Sequence, residues 1–567
     1  MNARLLFATS LALCLSMSSL HAQSEPGQVQ KTVLISEGLG GFTGALATLE
    51  YFGADIAELG DLDGDGISEI AVGAERSDVG GTDTGRVWLL FMNSGGQVKS
   101  WTKIDNESPE LPFALEVGDF FGSAVEAAGD LDGDGVPDLW VGARGDDEGE
   151  PYMPTSGPGA IYSVMLLPTG QLKSIQKISG SMPGLTLDPE GSFGASIAVI
   201  GDVFGDGSDD LAVGAPYDDG GGSNTGAVYL INLKAGGVVS SAQRTGPGSA
   251  TLDPNVSGSA WFGDSVEGLG DVDGNGSPDY AVGAASDSAG SPNSGSGSIF
   301  IYFTDSNGPT HFREINRMHP GFTTDVPGTG ARFGCALAAL GDIDGDGHGD
   351  LAVGARGDGQ NLRGAVWILR LSDDPNDLLS AVTLVDDDHG FLDVSLGAYD
   401  SLGSGLAALE DRDGNGIKDL VVGAIGYDVA GQSKGAIMPL SLRGPTIRDL
   451  GKGLVGDFEP QLEAIGTLLP GKLYAVQLSN ADAFKPAYLV LGFSELNAPF
   501  RGGTMVPALD QVILLPGTDL NGELDINASW PIGIPEGFDI YIQFWMSDPG
   551  APVGVNASNA LALVAAE

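Results

Sequence analysis

The nine residues from Asp342 to Asp350 form the stretch with the clearest chemical potential. Acidic side chains occupy positions 1, 3, 5 and 9 of this stretch, and glycines occupy positions 4 and 6. Ca²⁺ prefers roughly six to eight oxygen ligands at short range. The glycines allow the sharp backbone turns that direct carboxylate oxygens inward. The pattern therefore predicts a calcium loop, in which the backbone carbonyl of position 7 adds one more oxygen.

The acidic loop recurs six times. We number the copies loops 1 to 6, and they begin at Asp61, Asp130, Asp202, Asp271, Asp342 and Asp411. A Phe-Gly pair lies nine residues before each loop, except that the last copy has Leu402-Gly403. The alanine of a Val-Gly-Ala lies thirteen residues after each first Asp. Fixed offsets at a regular period indicate a repeat architecture.

The candidate metal ligands are positions 1, 3, 5, 7 and 9 of each loop. They are Asp61, Asp63, Asp65, Ile67 and Glu69; Asp130, Asp132, Asp134, Val136 and Asp138; Asp202, Asp206, Ser208 and Asp210; Asp271, Asp273, Asn275, Ser277 and Asp279; Asp342, Asp344, Asp346, His348 and Asp350; and Asp411, Asp413, Asn415, Ile417 and Asp419. Position 3 of loop 3 is Phe204, so this loop is expected to be the weakest site. We expect five or six Ca²⁺ ions.

The invariant acid at position 9 separates metal binding from a simpler interpretation. Asp-Gly repeats also form turns without metal, which would explain the glycines. Turn formation does not explain why position 9 is acidic in every copy. Position 7 varies from Ile67 to His348, as expected of a residue that binds through its backbone.

Each repeat contains four short apolar runs that are typical of β-strands. Four strands per repeat, arranged radially, form a blade of a β-propeller. The run from Lys31 to Ser36 is similar to the outer strand at Gln176–Ser179, and the sixth repeat lacks a fourth strand. Pairing of the two ends would close the ring. We therefore favour six blades, and seven with one degenerate blade is the alternative.

The Phe-Gly pair, the acidic loop and Val213-Gly214-Ala215-Pro216 together resemble the FG-GAP repeats of the integrin alpha-chain propeller. The resemblance covers roughly residues 30 to 450. It implies an all-β FG-GAP β-propeller with calcium loops on one rim and ligand recognition on the opposite face. Integrins have seven such repeats, so six is a departure from the family pattern.

The two ends of the chain lie outside the repeats. Residues 1–22 resemble a secretory signal peptide, with Arg4 followed by an apolar run too short to span a membrane. We assign residues 23–450 to the propeller and 451–567 to a small C-terminal β-sandwich, because the latter contains short strand-like runs separated by turns. Signal cleavage leaves Cys335 as the one cysteine, so no intrachain disulfide can form.

The formal net charge of −50 argues against nucleic acid or an anionic membrane as a partner. No transmembrane segment is predicted, and the sequence leaves the oligomeric state open. The expected location is secreted, extracellular or at the cell surface, and the expected partner is an extracellular polysaccharide or a surface protein.

The recognition loops implied by the resemblance follow Val-Gly-Ala and precede Phe-Gly. Their candidate residues are Asp146, Asp147, Glu148, Glu150, Tyr152, Tyr217, Asp218, Asp219, Tyr427 and Asp428. Two Arg-Gly-Asp tripeptides begin at Arg144 and Arg356, but every repeat has an Asp near this position. We therefore interpret that Asp as a structural feature of the repeat.

No nucleophile motif, phosphate loop or zinc spacing is present in the sequence. The sequence thus predicts a secreted, calcium-binding, integrin-like propeller for extracellular recognition or adhesion, without catalysis. Two alternatives stay open. One is a calcium-dependent polysaccharide lyase or hydrolase, because some polysaccharide lyases use calcium-rich propellers. The other is a passive component of a surface structure.

Overall fold

Each of the first five repeats forms one four-stranded antiparallel sheet in the computed structural model, and the sixth forms such a sheet together with the N-terminal strand. The structure describes residues 27–443 apart from 148–156, 181, 183–184, 250–253, 255, 289–294, 306–307, 321, 323–326, 345–346, 373–378, 386–393 and 414. It also describes 447–449, 461–466, 473–479, 481, 487–493, 495–500, 503–507, 511–515, 518, 524–529, 539–547 and 555–564. The signal-peptide prediction lies outside these residues. In this part of the chain, no helix is long and apolar enough to cross a membrane.

The first five repeats form sheets 1 to 5, and β1 (Val29–Thr32) precedes them. Sheet 1 contains β2 (Ile56–Gly60), β3 (Glu69–Gly73), β4 (Val87–Met92) and β5 (Val98–Ile104). Sheet 2 contains β6 (Phe121–Gly129), β7 (Asp138–Ala143), β8 (Ala160–Leu166) and β9 (Leu172–Ser179). Sheet 3 contains β10 (Ser196–Val199), β11 (Leu211–Ala215), β12 (Ala227–Lys234) and β13 (Val238–Thr245). Sheet 4 contains β14 (Phe262–Gly270), β15 (Asp279–Ala284), β16 (Ser298–Asp305) and β17 (Gly308–Asn316). Sheet 5 contains β18 (Phe333–Gly341), β19 (Asp350–Ala355), β20 (Ala365–Leu371) and β21 (Leu379–Val385), with a 3-10 turn at Gln360–Leu362.

Sheet 6 combines the two ends of the repeat region. It contains β22 (Leu402–Leu409), β23 (Asp419–Ala424), β26 (Ala436–Leu442) and β1, while β24 (Asp428–Val429) and β25 (Gln432–Ser433) form a separate hairpin. Strand β1 pairs antiparallel with β26, with Thr32 opposite Leu440. This pairing confirms that the N-terminal run supplies the missing outer strand, although β1 begins at Val29 rather than Lys31.

The six sheets are arranged in a cycle. The innermost strands β2, β6, β10, β14, β18 and β22 contact one another in that order, and β22 contacts β2. Six clusters of buried apolar side chains lie between successive sheets, and the cluster between sheets 6 and 1 includes Ile437, Val421, Ile56 and Trp88. The second strands are therefore buried on both faces, which explains why they read as continuous apolar runs. The described residues form the β-propeller that the repeats predict.

Glycines of the two sequence motifs allow neighbouring sheets to approach closely. At Gly354, the glycine of Val-Gly-Ala in sheet 5, an added Cβ atom would lie 2.2 Å from the carbonyl oxygen of Gly403. At Gly423, the equivalent glycine in sheet 6, an added Cβ atom would lie 2.1 Å from the carbonyl oxygen of Gly53. A Cβ atom on Gly403 would likewise lie 2.5 Å from the Ala365 carbonyl oxygen. No side chain fits at such distances, so both motifs require glycine. The Sγ of Cys335 donates a hydrogen bond to the Gly403 carbonyl, 3.2 Å away. Serines make the equivalent bond in other sheets, as Ser265 does to Gly334.

The C-terminal segments form two further sheets and a hairpin. The strands are β27 (Ile447–Asp449), β28 (Gln461–Gly466), β29 (Leu473–Ser479), β30 (Ala487–Gly492), β31 (Glu495–Phe500), β32 (Gly503–Pro507), β33 (Gln511–Leu514), β34 (Leu524–Ser529), β35 (Asp539–Ser547) and β36 (Val555–Val564). The sheet order is β27-β36-β35-β30-β33 in one sheet and β28-β29-β34 in the other, and β31 pairs with β32. Val476 of the smaller sheet shares an apolar cluster with Phe544 and Leu561 of the larger sheet. Two sheets packed on a common core form a β-sandwich.

Candidate metal loops and axial cavity

The strand directions place the two sequence motifs at opposite ends of the propeller. Strand β2 runs from Phe52-Gly53 to loop 1, and β3 returns from the loop to Val-Gly-Ala. The same order holds in the other sheets. The acidic loops therefore lie at one end of the strands, and the turns next to Val-Gly-Ala and Phe-Gly lie at the other.

The carboxylate at position 1 holds each loop in a tight turn. In loop 1, Oδ1 of Asp61 accepts a hydrogen bond from the Gly64 N–H at 2.7 Å, and its Oδ2 accepts one from the Gly66 N–H at 2.8 Å. Asp130 makes the same contacts in loop 2. These contacts are local, so the sequence alone is sufficient to form them.

The carboxylate at position 9 connects the loop to the third strand of its sheet. Oδ2 of Asp138 accepts a hydrogen bond from the Leu131 N–H at 2.9 Å, and Oδ1 accepts one from the Leu166 N–H at 3.0 Å. Burial raises the pKa of Asp138 and raises that of Glu69 to about 7. The acid at position 9 thus also has a structural role, which the sequence pattern alone does not reveal.

Carboxylate oxygens from positions 1, 3 and 9 converge in four loops. In loops 1, 2, 4 and 5, one oxygen from each of these positions lies within 4.8 Å of the others. The clusters are Asp61, Asp63 and Glu69; Asp130, Asp132 and Asp138; Asp271, Asp273 and Asp279; and Asp342, Asp344 and Asp350. Oxygen-only donor sets of this kind suit a hard cation such as Ca²⁺. Asp346 lies outside the described residues.

Loops 3 and 6 do not form such a cluster among the described residues. In loop 3, Phe204 packs against the apolar cluster between sheets 3 and 4 instead of offering a carboxylate. In loop 6, repulsion from Asp411 contributes to a raised pKa of Asp413, after the larger effect of burial. The expectation that loop 3 is the weakest site stays a prediction, and loop 6 joins it as a second atypical loop.

Position 5 makes different contacts in different loops. The Asn275 amide donates to the Thr304 carbonyl at 2.8 Å, and the Asn415 amide donates to the Leu442 carbonyl at 2.6 Å. In loops 1 and 2, Asp65 and Asp134 instead contact lysines from the outer strand. Asn275 and Asn415 therefore connect their loops to the third strand of the sheet, whereas Asp65 and Asp134 connect theirs to the outer strand.

Lys99 and Lys173 place an ammonium group inside loops 1 and 2. The Nζ of Lys99 lies 2.8 Å from Oδ2 of Asp63, and the Nζ of Lys173 lies 2.7 Å from Oδ2 of Asp132. Each lysine occupies a bulge where the register of the outer strand shifts by one residue. The corresponding bulge positions in the other sheets are Ser240, Thr310, Ser380 and Gln30. Sequence reasoning missed this feature because the lysines lie far from their loops in the chain.

The opposite end of the propeller opens into a cavity of about 430 Å³ on its axis, lined by residues from all six sheets. The lining includes residues just after Val-Gly-Ala, such as Arg76, Arg144 and Arg356, and residues just before Phe-Gly, such as Trp261 and Arg332. These are the two sets of turns that the sequence assigned to recognition. The particular residues differ from the expected ones, except that Tyr217 also lines the cavity.

Three carboxyl groups lie deeper in the cavity, further along the innermost strands. Asp55, Glu126 and Glu267 accept hydrogen bonds from the N–H groups of Val125, Val199 and Ala339 at 2.8, 3.0 and 2.8 Å, and each bond joins neighbouring sheets. Burial raises the pKa of Asp55 to about 7. Burial and charge repulsion also raise the pKa values of Glu126 and Glu267.

Two of the aspartates that follow Val-Gly-Ala, Asp146 and Asp218, are structural. Asp146 is buried and accepts a hydrogen bond from the Tyr162 hydroxyl at 2.7 Å, while Asp218 is buried and pairs with Arg244. The structural interpretation of the Arg-Gly-Asp tripeptide at Arg144 is therefore confirmed. The suggestion that Asp146 and Asp218 contact a ligand is wrong, because both side chains are occupied inside the protein. Glu148, Glu150 and Tyr152 lie outside the described residues.

Comparisons with known proteins agree with this architecture. The FG-GAP repeat family matches residues 55–90, 193–231 and 333–369. Integrin alpha-3 of Cricetulus griseus is 35% identical over 210 residues, which make up 36% of this chain and 17% of the relative. Integrin alpha-7 of Homo sapiens is 32% identical over 268 residues, or 47% of this chain and 20% of the relative. Integrin alpha-4 of Xenopus laevis is 37% identical over 182 residues, or 31% of this chain and 15% of the relative.

The four-stranded sheets and their repeated loops define an FG-GAP β-propeller. The chain accordingly contains FG-GAP repeats and is similar to integrin alpha chains within them. It spans one fifth or less of the length of these relatives.

Proposed function

We propose that this chain is a secreted, calcium-binding propeller protein that recognises an extracellular polysaccharide or surface protein without catalysis. The observation that carries the proposal is the division between the two ends of the propeller. Acidic loops lie at one end, and a polar cavity lined by all six sheets lies at the other. Binding residues held by loops on a rigid scaffold are typical of recognition proteins.

Ca²⁺ is the proposed ion of the loops, with positions 1, 3 and 9 as the principal ligands. Positions 5 and 7 complete the proposed set, including Asp346 in loop 5 and the backbone carbonyl of His348. The propeller of residues 23–450 is proposed to have six blades, with the sandwich of 451–567 as a separate domain. Secretion is proposed from the signal-like residues 1–22.

A binding panel tests this function. The mature protein would be labelled and applied to polysaccharides and extracellular proteins, once in calcium and once in EGTA. Saturable binding to a subset of the panel that disappears in EGTA is the expected result. Absence of binding in calcium, with the fold verified by circular dichroism, would contradict the proposal.

One observation favours a second candidate, a calcium-dependent polysaccharide lyase or hydrolase. Carboxyl groups with raised pKa values in a cavity are typical of general acids, and Glu126 and Glu267 fit this description. This candidate predicts turnover of a polysaccharide that is lost in Glu126→Gln or Glu267→Gln. Binding without turnover would favour recognition alone.

A further inference from the structure

The mouth of the axial cavity concentrates positive charge on a strongly acidic protein. Four arginines line it, Arg76, Arg144, Arg332 and Arg356, although the whole chain contains only 26 lysines and arginines and carries a net charge of −50. Two carboxylates, Glu75 and Asp264, line the same end. At this end the guanidinium groups outnumber the carboxylates, while Asp55, Glu126 and Glu267 line the deeper part of the same cavity, where burial raises their pKa values and favours the neutral form.

One of the arginines pairs directly with one of these carboxylates, and a second arginine approaches the other carboxylate. The Nε of Arg144 lies 2.8 Å from Oε2 of Glu75, and a second contact of 3.3 Å makes the pair bidentate. The Nη2 of Arg356 lies 4.0 Å from Oδ2 of Asp264, which is at the outer limit of an ion pair. Glu75 is thus engaged, whereas Oδ2 of Asp264 approaches Arg356 without making a hydrogen bond.

Arg76 and Arg332 contact aromatic rings instead of acids. The guanidinium carbon of Arg76 lies 4.7 Å from the centre of the Tyr51 ring, and that of Arg332 lies 4.7 Å from the Trp261 ring. In the described part of the chain, neither arginine has a carboxylate within salt-bridge distance. The buried Nε of Arg76 also makes no hydrogen bond there. Stacking on a ring leaves the N–H edge of a guanidinium available for a ligand.

Arg332 and Arg356 also repel each other. Burial and the charge of Arg356 lower the pKa of Arg332, and the charge of Asp264 offsets part of this effect. A bound anion would relieve this repulsion and supply the missing hydrogen-bond acceptors. A cavity mouth lined by planar guanidinium forks suits a group with several acceptor oxygens, because carboxylates and sulfates accept bidentate hydrogen bonds from arginine.

We propose that the axial cavity binds a compact anionic group, a carboxylate or sulfate, at its arginine-lined mouth, to which Arg76 and Arg332 offer unpaired N–H groups. The group is presented by a free small molecule or by the end residue of an acidic saccharide. A long polyanion lying across the surface is disfavoured because the rest of the protein is acidic and would repel it. The inference names the ligand chemistry of the recognition end described above and so rests on the proposed function.

Calorimetric titration of the full chain in calcium tests this site with three probes: sulfate, D-glucuronate and a uronate tetrasaccharide. Saturable binding that weakens with added salt is expected, and Arg76→Gln or Arg332→Gln should weaken it at least about tenfold. Arg313→Gln is the matched control, because Arg313 is exposed on the outer strand β17 and its loss removes the same charge. Equal affinity for glucuronate and the tetrasaccharide indicates a free anion, whereas tighter binding of the tetrasaccharide indicates a saccharide end group.

Further measurements distinguish a variant that misfolds, or a protein without the proposed recognition function, from a protein that lacks the anion site. Arg332→Lys keeps the charge but loses the fork, so it should also weaken binding while preserving the melting temperature. Absence of saturable binding of all three probes to the folded protein would overturn the inference, as would equal weakening by Arg313→Gln. If the protein adheres to a partner and neither glucuronate nor sulfate competes, the proposed function stands and the anion site is wrong.

Discussion

At the scale of single residues, loop 5 allows a ligand that uses its side chain to be distinguished from one that uses its backbone carbonyl. Asp344 belongs to a cluster of converging carboxylates, whereas His348 at position 7 is proposed to bind through its backbone. An ion that binds only the folded protein stabilises it by about 2.7 kcal/mol at a concentration one hundred times its dissociation constant. Removal of these two side chains should therefore have different effects on the stabilisation by calcium.

Asp344→Ala is expected to reduce the calcium-dependent increase in melting temperature, because it removes one carboxylate from the cluster. His348→Ala should leave the increase unchanged, since the backbone carbonyl remains. Thermal unfolding of both variants in calcium and in EGTA measures the difference. Equal effects of the two substitutions would contradict the assignment of positions 3 and 7.

Lys99 illustrates how a residue outside the loop can change its affinity. Its ammonium group contacts Asp63 and Asp65, and these hydrogen bonds outweigh the effect of burial and raise the pKa of Lys99 to about 12. A cation that enters loop 1 must overcome this positive charge. Lys99→Met is therefore expected to tighten calcium binding at loop 1 by about tenfold, which corresponds to about 1.4 kcal/mol.

Lys103→Met is a suitable control for this prediction. Lys103 lies on the same strand, β5, but pairs with Asp105 and Glu107 rather than with the loop. Calcium titrations followed by calorimetry should show tighter binding in Lys99→Met only. Unchanged calcium affinity in Lys99→Met would mean that displacing the Lys99 ammonium group from loop 1 requires no free energy.

At the scale of elements, the contact between neighbouring sheets depends on the glycines of both motifs. A Cβ atom at position 354 would lie 2.2 Å from the Gly403 carbonyl oxygen and would force sheets 5 and 6 apart. Overpacking of this kind typically costs about 1–3 kcal/mol. The position also lies on a fully buried strand, β19, which has little room to adjust.

Gly354→Ala is therefore expected to lower the free energy of unfolding by about 3 kcal/mol. Gly258→Ala provides the control, because a Cβ atom there meets nothing within 4 Å. Its effect should stay within about 0.5 kcal/mol. Urea denaturation measures both values, and similar stability of the two variants would contradict the role assigned to the inter-sheet contact.

At the scale of the whole molecule, the carboxyl groups on the axis couple stability to pH. The raised pKa values of Asp55, Glu126 and Glu267 mean that the folded protein binds more protons than the unfolded chain at mildly acidic to neutral pH. Stability is then greatest below the unfolded pKa values and falls as pH rises through the folded ones.

In saturating calcium, which should hold the loop carboxylates in the ionised form, the free energy of unfolding is expected to fall between about pH 4 and about pH 8. One unit of pKa difference corresponds to about 1.4 kcal/mol. Glu126→Gln combined with Glu267→Gln should flatten this dependence, whereas Glu110→Gln, at an exposed position, should not. If the unfolding free energy changes equally with pH in the unaltered protein, the double variant and Glu110→Gln, then the axial carboxyl groups do not couple to folding.

The sequence by itself determined the repeat, its four strands, the acidic loops and the closure by the N-terminal strand. These features depend on local periodicity or on fixed offsets, such as the hydrogen bonds between Asp61 and the glycines of its own loop. Local chemistry of this kind is the same wherever the segment lies in the fold. The structural role of the aspartate in Arg-Gly-Asp was also visible, because every repeat contains it.

Only the tertiary structure decided which side chains meet at the axis and which enter the loops. Arg76 and Arg332 are 256 positions apart in numbering, yet both line one cavity because the sheets converge on a common axis. Lys99 reaches loop 1 only because a bulge in the outer strand shifts its register. The arginine cluster depends on the closure of the ring, the lysine contact depends on strand pairing within one sheet, and no local pattern in the sequence encodes either.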